Sequence, residues 1–238
     1  MMRFAQRLRR RVLPNLVHLG GSRVRRCRCC GRQSLIVSLS PGEEVKRCLL
    51  CGANLRYEML AEQLRALDLA RLDVLELDPG SPLRRLASGA RSYTRSFFSP
   101  TAVPGSLGPG GARCEDITRL TFPDASLDLI VSSDVLEHVP DLPGAFAETA
   151  RVLRMGGSHL FTVPPRESTR RRPADEPEFH GDPLDAGGIL AEWDIGPDAP
   201  TVFGRPDLLL SIVAGPEGAD RRVVWRADKQ AANRRAPG

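Results

Sequence analysis

The segment Arg113–Pro164 constrains the fold of this 238-residue chain more than any other part of it. Its pattern indicates a strand, an acidic turn, a second strand, a second acidic turn, an amphipathic helix, a glycine turn and a third strand. Leu127–Ser132 is a continuous apolar run of strand type, and Pro143–Leu153 has apolar residues at helical spacing before Gly156 and Gly157 end the helix. This order of elements is typical of one half of a doubly wound α/β domain. Ligands bind such sheets at the carboxyl ends of the strands, where this segment carries its carboxylates.

The flanking sequence supplies further elements of the same domain. Leu72–Leu77 predicts a buried strand, and Tyr57–Ala70 before it has the apolar spacing of a helix. Leu208–Val213 and Arg222–Arg226 predict a hairpin at the edge of the sheet. Residues 95–112, rich in Gly, Pro and Ser, predict a long loop. We therefore expect an α/β fold with a Rossmann-like, doubly wound sheet.

Composition is that of a globular protein, with 41% hydrophobic and 26% charged residues. No apolar run approaches the roughly 18–20 residues that a membrane-spanning helix needs, so we expect a soluble, cytoplasmic protein. The net charge of +5 is concentrated in arginines near the N-terminus, where residues 3–18 predict a basic amphipathic helix. Such a helix could lie on an anionic membrane, contact nucleic acid or pack on its own protein, and its composition also resembles that of a transit peptide.

Five of the six cysteines lie between positions 27 and 51. Two C-x-x-C-G knuckles, Cys27–Gly31 and Cys48–Gly52, are separated by a spacing typical of zinc sites. Cys27, Cys30, Cys48 and Cys51 would bind one tetrahedral ion with no open position, so the predicted zinc is structural. A disulfide pairing is the alternative, but it needs an oxidising compartment, and no secretory signal is visible. Cys29 is a spare thiol, and Cys114 is expected to pack in the sheet.

These features predict three regions: a basic arm at 1–21, a small zinc ribbon at 22–56 and the Rossmann-like domain at 57–238.

Four motifs in the central part of the chain resemble those of class I S-adenosylmethionine-dependent methyltransferases. They stand here as Asp116–Leu120, Phe122–Asp128, Leu136–Val139 and Glu148–Gly157, in the family's order. Some methyltransferases of this class also carry an N-terminal cysteine zinc finger. The resemblance covers roughly residues 22–165 and implies S-adenosylmethionine as cofactor.

The resemblance implies cofactor-binding roles for seven residues: Glu76, Asp78, Gly80, Asp116, Ile117, Ser133 and Asp134. Asp116 would accept a hydrogen bond from the adenine amino group, with Ile117 against the ring. Glu76 would fix the methionine part of the cofactor. Ser133 and Asp134 would border its methionine end and the acceptor pocket.

Two features depart from the family's pattern. The first loop, Glu76–Pro82, keeps only Gly80 of the usual glycines, so Asp78 is either a turn residue or part of an altered cofactor loop. The second strand, in Tyr93–Phe98, lacks the acid that binds the ribose hydroxyls in the family, and Tyr93 and Ser96 are the candidates to replace it. Both departures bear on cofactor affinity rather than on the fold.

Three further residues are candidates for chemistry beside the cofactor. Glu137 and His138 could supply a general base or simply cap a turn, and His180 could contact substrate or simply be exposed. The sequence thus predicts an enzyme of class EC 2.1.1 that methylates a small metabolite, a sugar or RNA. The alternative is a catalytically inactive relative that acts as a scaffold or binds nucleic acid through its zinc ribbon and basic arm.

Overall fold

A computed structural model of the chain describes residues 18–38, 46–180, 188–218 and 221–231. The predicted basic helix at 3–18 therefore lies, except for His18, outside the described residues. The strands are β1 (Arg23–Arg26), β2 (Gln33–Val37), β3 (Arg47–Cys48), β4 (Asp73–Glu76), β5 (Ser92–Phe97), β6 (Arg113–Cys114), β7 (Leu127–Ser133), β8 (Leu153–Thr162), β9 (Arg170–Arg171), β10 (Phe179–His180), β11 (Ile189–Leu190), β12 (Trp193–Asp194), β13 (Leu208–Glu217) and β14 (Arg222–Lys229). The α-helices are α1 (Leu55–Arg65), α2 (Arg84–Ala87), α3 (Leu142–Val152) and α4 (Ala199–Phe203).

Seven strands form the central sheet, in the order β13-β14-β8-β7-β4-β5-β6. The strand pairs from β6 to β8 are parallel, whereas β14 is antiparallel to both β8 and β13. The chain runs outward from β4 through β5 to β6 and then crosses back to β7 on the other side of β4. That reversal is the topological switch point of a doubly wound sheet. The predicted Rossmann-like α/β fold and its edge hairpin are confirmed.

The centre of the sheet is buried on both faces, which explains why β7 is a nearly continuous apolar run. Consecutive residues enter different cores: Val74 and Leu75 in β4, Leu129 and Ile130 in β7, and Leu160 and Phe161 in β8. Helix α3 packs in one core and α1 in the other. Side chains accept backbone hydrogen bonds at the start of both helices, Asn54 for α1 and Asp141 for α3.

Helix α1 is shorter than the sequence predicts, because it ends at Arg65 and a 3₁₀ turn, Leu69–Arg71, follows. The region after β8 contains two small antiparallel pairs, β9 with β12 and β10 with β11. Among the described residues, no helix is long and apolar enough to cross a membrane.

Strands β1, β2 and β3 form a separate antiparallel sheet that carries the cysteine knuckles. This cysteine module (residues 22–56) packs on α1, and its Cys27 and Cys48 belong to the same buried cluster as Leu60 of that helix. The buried Glu58 of α1 accepts two hydrogen bonds from the Arg25 guanidinium, at 2.9 and 2.8 Å. The module and the large sheet therefore share one apolar core.

Candidate functional site

The predicted cofactor residues lie at the carboxyl ends of the parallel strands. Glu76 ends β4, Asp116 follows β6, and Ser133 ends β7 just before Asp134. Since parallel strands end at a common edge, these residues share the edge where doubly wound sheets bind ligands. The predicted placement of the carboxylates is therefore observed, whereas their roles remain proposals.

Glu76 is an acid with an altered affinity for protons. Only 2% of its surface is exposed, and burial raises the pKa of its carboxyl to about 7, although hydrogen bonds from Ser81 and Tyr93 oppose the shift. The Tyr93 hydroxyl donates to Glu76 Oε2. Near neutral pH this carboxyl therefore exists both protonated and ionised.

The turn after β4 is held by side chains where the family has glycines. Asp78 Oδ1 accepts from the Gly80 amide at 2.8 Å, and Asp78 Oδ2 accepts from the Tyr57 hydroxyl of α1 at 2.5 Å. Arg95 donates to the Pro79 carbonyl at 2.7 Å and also reaches the Gly110 carbonyl. Asp78 thus acts as a turn residue in this structure, and Arg95 ties the turn to the long loop after β5.

Asp116 lies in a tight local turn. Its Oδ1 accepts from the amide and the hydroxyl of Thr118, at 2.8 and 2.7 Å. The neighbouring Ile117 is buried and forms part of the core. Glu115, in contrast, stabilises the local structure. It is buried and accepts hydrogen bonds from both the amide and the hydroxyl of Thr121. Of the two adjacent acids, Asp116 is the less buried one.

Asp134 is enclosed by two arginines that sequence reasoning missed. Arg222 of β14 reaches its two carboxylate oxygens at 2.7 and 2.8 Å, and Arg56 of α1 donates to Oδ2. The exposed side-chain fractions are 11% for Asp134 and 6% for Arg222. Asp134 has a φ of 53°, a conformation that Asp tolerates better than most residues. The adjacent Ser133 hydroxyl is 3.3 Å from that of Thr162.

Glu137, His138 and His180 come together in three dimensions, although 42 residues separate the two histidines. His138 Nε2 and His180 Nδ1 are 3.2 Å apart, and each is 3.7 Å from Glu137 Oε1. Glu137 is buried and neither of its oxygens has a hydrogen-bond partner. Burial raises the pKa of Glu137, and Glu137 in turn raises the pKa of His180. The predicted catalytic pair and the predicted substrate residue thus form one cluster, the Glu-His-His cluster.

The four predicted zinc ligands also converge. The sulfurs of Cys27 and Cys51 are 3.7 Å apart, and those of Cys30 and Cys48 are 3.9 Å apart. Four thiolates at about 2.3 Å from one tetrahedral ion lie about 3.8 Å from one another, so these residues fit zinc. Cys29 instead points toward the Pro82 carbonyl, and Cys114 is buried in β6.

Comparison with known proteins gives a family for the middle of the chain. Residues 51–161 match the model of a methyltransferase domain. The malonyl-[acyl-carrier protein] O-methyltransferase of Serratia marcescens is 46% identical over 48 residues, which are 20% of this chain and 19% of that protein. A probable S-adenosylmethionine-dependent methyltransferase of Mycolicibacterium smegmatis is 41% identical over 51 residues, 21% of this chain and 20% of that protein. The match therefore spans about a fifth of each curated relative.

Among solved structures, the PH0226 protein of Pyrococcus horikoshii matches with a TM-score of 0.49 and 14% identity, over 73% of this chain and 89% of that one. An S-adenosylmethionine-dependent methyltransferase of Mesorhizobium loti matches with a TM-score of 0.45 and 16% identity, over 71% and 97%. Residues 51–161 thus match a methyltransferase domain, in agreement with the motifs in that part of the chain that resemble those of class I methyltransferases.

Proposed function

We propose that the protein is an S-adenosylmethionine-dependent methyltransferase with a structural zinc ion. One coincidence supports this most: the region that matches the methyltransferase family carries Glu76, Asp116 and Asp134 together at the switch-point edge of the sheet. The acceptor is a small metabolite, a sugar or RNA.

In this proposal each residue at the edge holds one part of the cofactor. Asp116 Oδ2 accepts from the adenine amino group while Oδ1 keeps its bonds to Thr118. Glu76, ionised, binds the ammonium of the methionine part. Asp134, with its two arginines, shapes the wall between the methionine end and the acceptor, and Ser133 and Gly80 line the same edge.

The cofactor supplies an electrophilic methyl group on a sulfonium ion. The protein therefore has to align the acceptor with that methyl group, and a base is needed only when the acceptor must lose a proton. Glu137 and His138, directly after the β7 end, are the candidates for that base. His180 contacts both of them and extends the acceptor side of the site.

Zinc has a separate, structural role in the proposal. Cys27, Cys30, Cys48 and Cys51 complete a tetrahedral shell and leave no position for substrate. The ion holds β1, β2 and β3 in the form that packs on α1, the helix that supplies Arg56 and Tyr57 to the sheet edge.

Calorimetric titration with S-adenosylhomocysteine tests the cofactor assignment. We expect saturable binding to the wild type and binding at least about tenfold weaker in Asp116→Ala, because a lost hydrogen bond to a charged group costs about 1.5–3 kcal/mol. The matched control is Asp68→Ala, since this exposed aspartate precedes β4 and lies at the opposite edge of the sheet. Absence of heat at millimolar ligand would falsify the proposal and favour the inactive alternative.

A further inference from the structure

Both histidines of the Glu-His-His cluster also form hydrogen bonds to oxygen atoms outside the cluster. These bonds determine which ring nitrogens carry protons. The Leu190 carbonyl oxygen lies 2.8 Å from His138 Nδ1 and can only accept, so His138 carries its proton on Nδ1. Glu178 Oε1 lies 2.9 Å from His180 Nε2. His180 donates to that carboxylate through Nε2. In the neutral rings, His138 Nε2 and His180 Nδ1 are therefore both unprotonated.

Three lone-pair atoms consequently face one another. His138 Nε2, His180 Nδ1 and Glu137 Oε1 form a triangle with sides of 3.2, 3.7 and 3.7 Å. With neutral rings and an ionised Glu137, none of them can donate to another, and the buried Glu137 carboxylate has no donor on either oxygen. Acceptors at these distances repel one another unless a cation lies between them.

A single proton satisfies this arrangement only in part. Placed between the two ring nitrogens, it joins the histidines but leaves Glu137 without a donor. A metal ion can satisfy all three ligands, because the point equidistant from the three atoms lies about 2 Å from each, within the range of zinc bonds to imidazole and carboxylate. We propose that Glu137, His138 and His180 bind a divalent transition-metal ion of the zinc type.

The surroundings have the features of a metal site. Each histidine donates its outer N–H to an oxygen, as metal-bound histidines commonly do. Glu178 is itself held by Arg166 at 2.6 Å and by Arg172 at 3.1 Å, so it can orient His180. Two imidazoles and a carboxylate suit zinc better than calcium or magnesium, which prefer oxygen ligands only.

This site differs from the cysteine tetrad in having only three protein ligands. His180 keeps 25% of its side-chain surface exposed and His138 keeps 13%, so the remaining coordination position is reachable from solvent. A zinc ion with three protein ligands typically holds water or a substrate oxygen in its fourth position. The cluster follows the end of β7, so an oxygen-bearing ligand bound there would lie on the acceptor side of the sheet edge.

Elemental analysis of the full-length protein tests the site. Protein equilibrated with Zn²⁺ and desalted should hold one more zinc ion per chain in the wild type than in His138→Ala or His180→Ala. His18→Ala, which removes a histidine outside the cluster, should match the wild type. Because the readout is a difference between chains, it does not depend on S-adenosylmethionine binding or on the cysteine site. Equal zinc content in the wild type and both cluster variants would overturn the proposal.

Histidine ¹⁵N NMR of the wild type gives a readout that needs no variant. Titration with Zn²⁺ should shift ring-nitrogen resonances of two of the four histidines. If Zn²⁺ shifts no ring-nitrogen resonance and the spectra show only pH-dependent exchange of a shared proton, the cluster binds a proton and not a metal ion.

Glu178→Gln tests the orienting role of Glu178. The variant should still bind the additional zinc ion at saturation, but with an affinity about 10–100-fold lower, because a carboxylate that accepts the outer N–H of a metal-bound histidine fixes the orientation of its ring. Circular dichroism and thermal unfolding check that it is folded. Unchanged affinity would contradict the orientation of His180 by Glu178.

Discussion

At the scale of single residues, the two acids of β4 differ in proton affinity because they differ in burial and in the donors that each one meets. Asp73 accepts from Arg91, Ser92 and Arg154, which hold its pKa well below the usual range. Glu76 lies at the other end of the same strand, and burial raises its pKa to about 7, because the hydrogen bonds from Ser81 and Tyr93 only partly oppose the loss of solvent. Position on the sheet therefore sets the charge of a carboxyl as much as residue type does.

The raised pKa of Glu76 predicts a pH-dependent stability. The folded protein holds this proton up to about pH 7 and the unfolded chain only to about pH 4.5, so the contribution of Glu76 to stability is lost as pH rises between those values. Glu76→Gln mimics the protonated form. Its stability relative to the wild type should therefore increase by about 2–3 kcal/mol from pH 4.5 to pH 8. Urea unfolding at both pH values measures this difference.

Tyr93→Phe is the companion variant. It removes the hydroxyl that donates to the ionised Glu76 carboxylate. The free energy of unfolding of Tyr93→Phe should therefore fall more steeply as pH rises than that of the wild type. A Glu76→Gln difference that is constant with pH would contradict the assigned pKa.

At the scale of elements, the cysteine module and α1 depend on each other. Arg25 and the Arg28 amide of the module bond to Glu58 of the helix, and Arg65 of the helix donates to the Cys29 carbonyl at 2.6 Å. Such a small sheet has too little core to fold alone, so an ion that orders it also orders the helix.

Removal of the proposed structural zinc should therefore destabilise the whole domain. A chelator should lower the melting temperature of the wild type by about 5–10 °C, since about 1 kcal/mol corresponds to 2–4 °C at this chain length. Most of this shift should persist in His180→Ala, which retains the cysteine site, and all of it in Cys114→Ser, which changes a buried cysteine outside the tetrad. Cys27→Ser, which keeps only the Glu-His-His cluster as a metal site, should show a much smaller chelator shift than the wild type. Equal chelator shifts in Cys27→Ser and Cys114→Ser would refute a structural metal at the tetrad.

At the scale of the whole molecule, Asp134 joins segments that are far apart in the chain. Its partners Arg56 and Arg222 lie 78 and 88 residues away, in α1 and β14. A second long-range pair, Arg28 with Glu217 at 2.8 Å, connects the cysteine module to the hairpin. Helix α1 and the hairpin of β13 and β14 are therefore held at the same edge of the sheet as the proposed cofactor site.

Asp134→Asn keeps the size of the side chain and its tolerance for positive φ but removes the charge. We expect a loss of about 3–5 kcal/mol in unfolding free energy, because two largely buried guanidinium groups lose their counter-charge. Asp124→Asn is the matched control. Its carboxylate is 80% exposed and pairs with Arg151, so that substitution should cost less than about 1 kcal/mol. Similar losses in both variants, measured in urea, would exclude the structural role of Asp134.

Local patterns predicted what depends on neighbours in the chain. The apolar run of β7 and the helical spacing of α3 identified those elements, and the motifs around Asp116 and Asp134 predicted the edge at which they lie. The shortened α1 was missed because Leu67 and Leu69 continue the apolar spacing beyond the residue where the helix ends. The strands β9 to β12 were missed because two residues are too few to show the apolar–polar alternation that identifies a strand.

The sequence by itself determined the α/β class, the position of the carboxylates on the parallel strands and the spacing of the cysteine tetrad, since each is encoded by residues close together in the chain. Tertiary structure alone decided that Arg56 and Arg222 enclose Asp134 and that Glu76 is buried. It also brought His180 into contact with Glu137 and His138. Those contacts depend on which distant segments the strand order brings to one edge, and desolvation and ion pairing there act through space rather than along the chain.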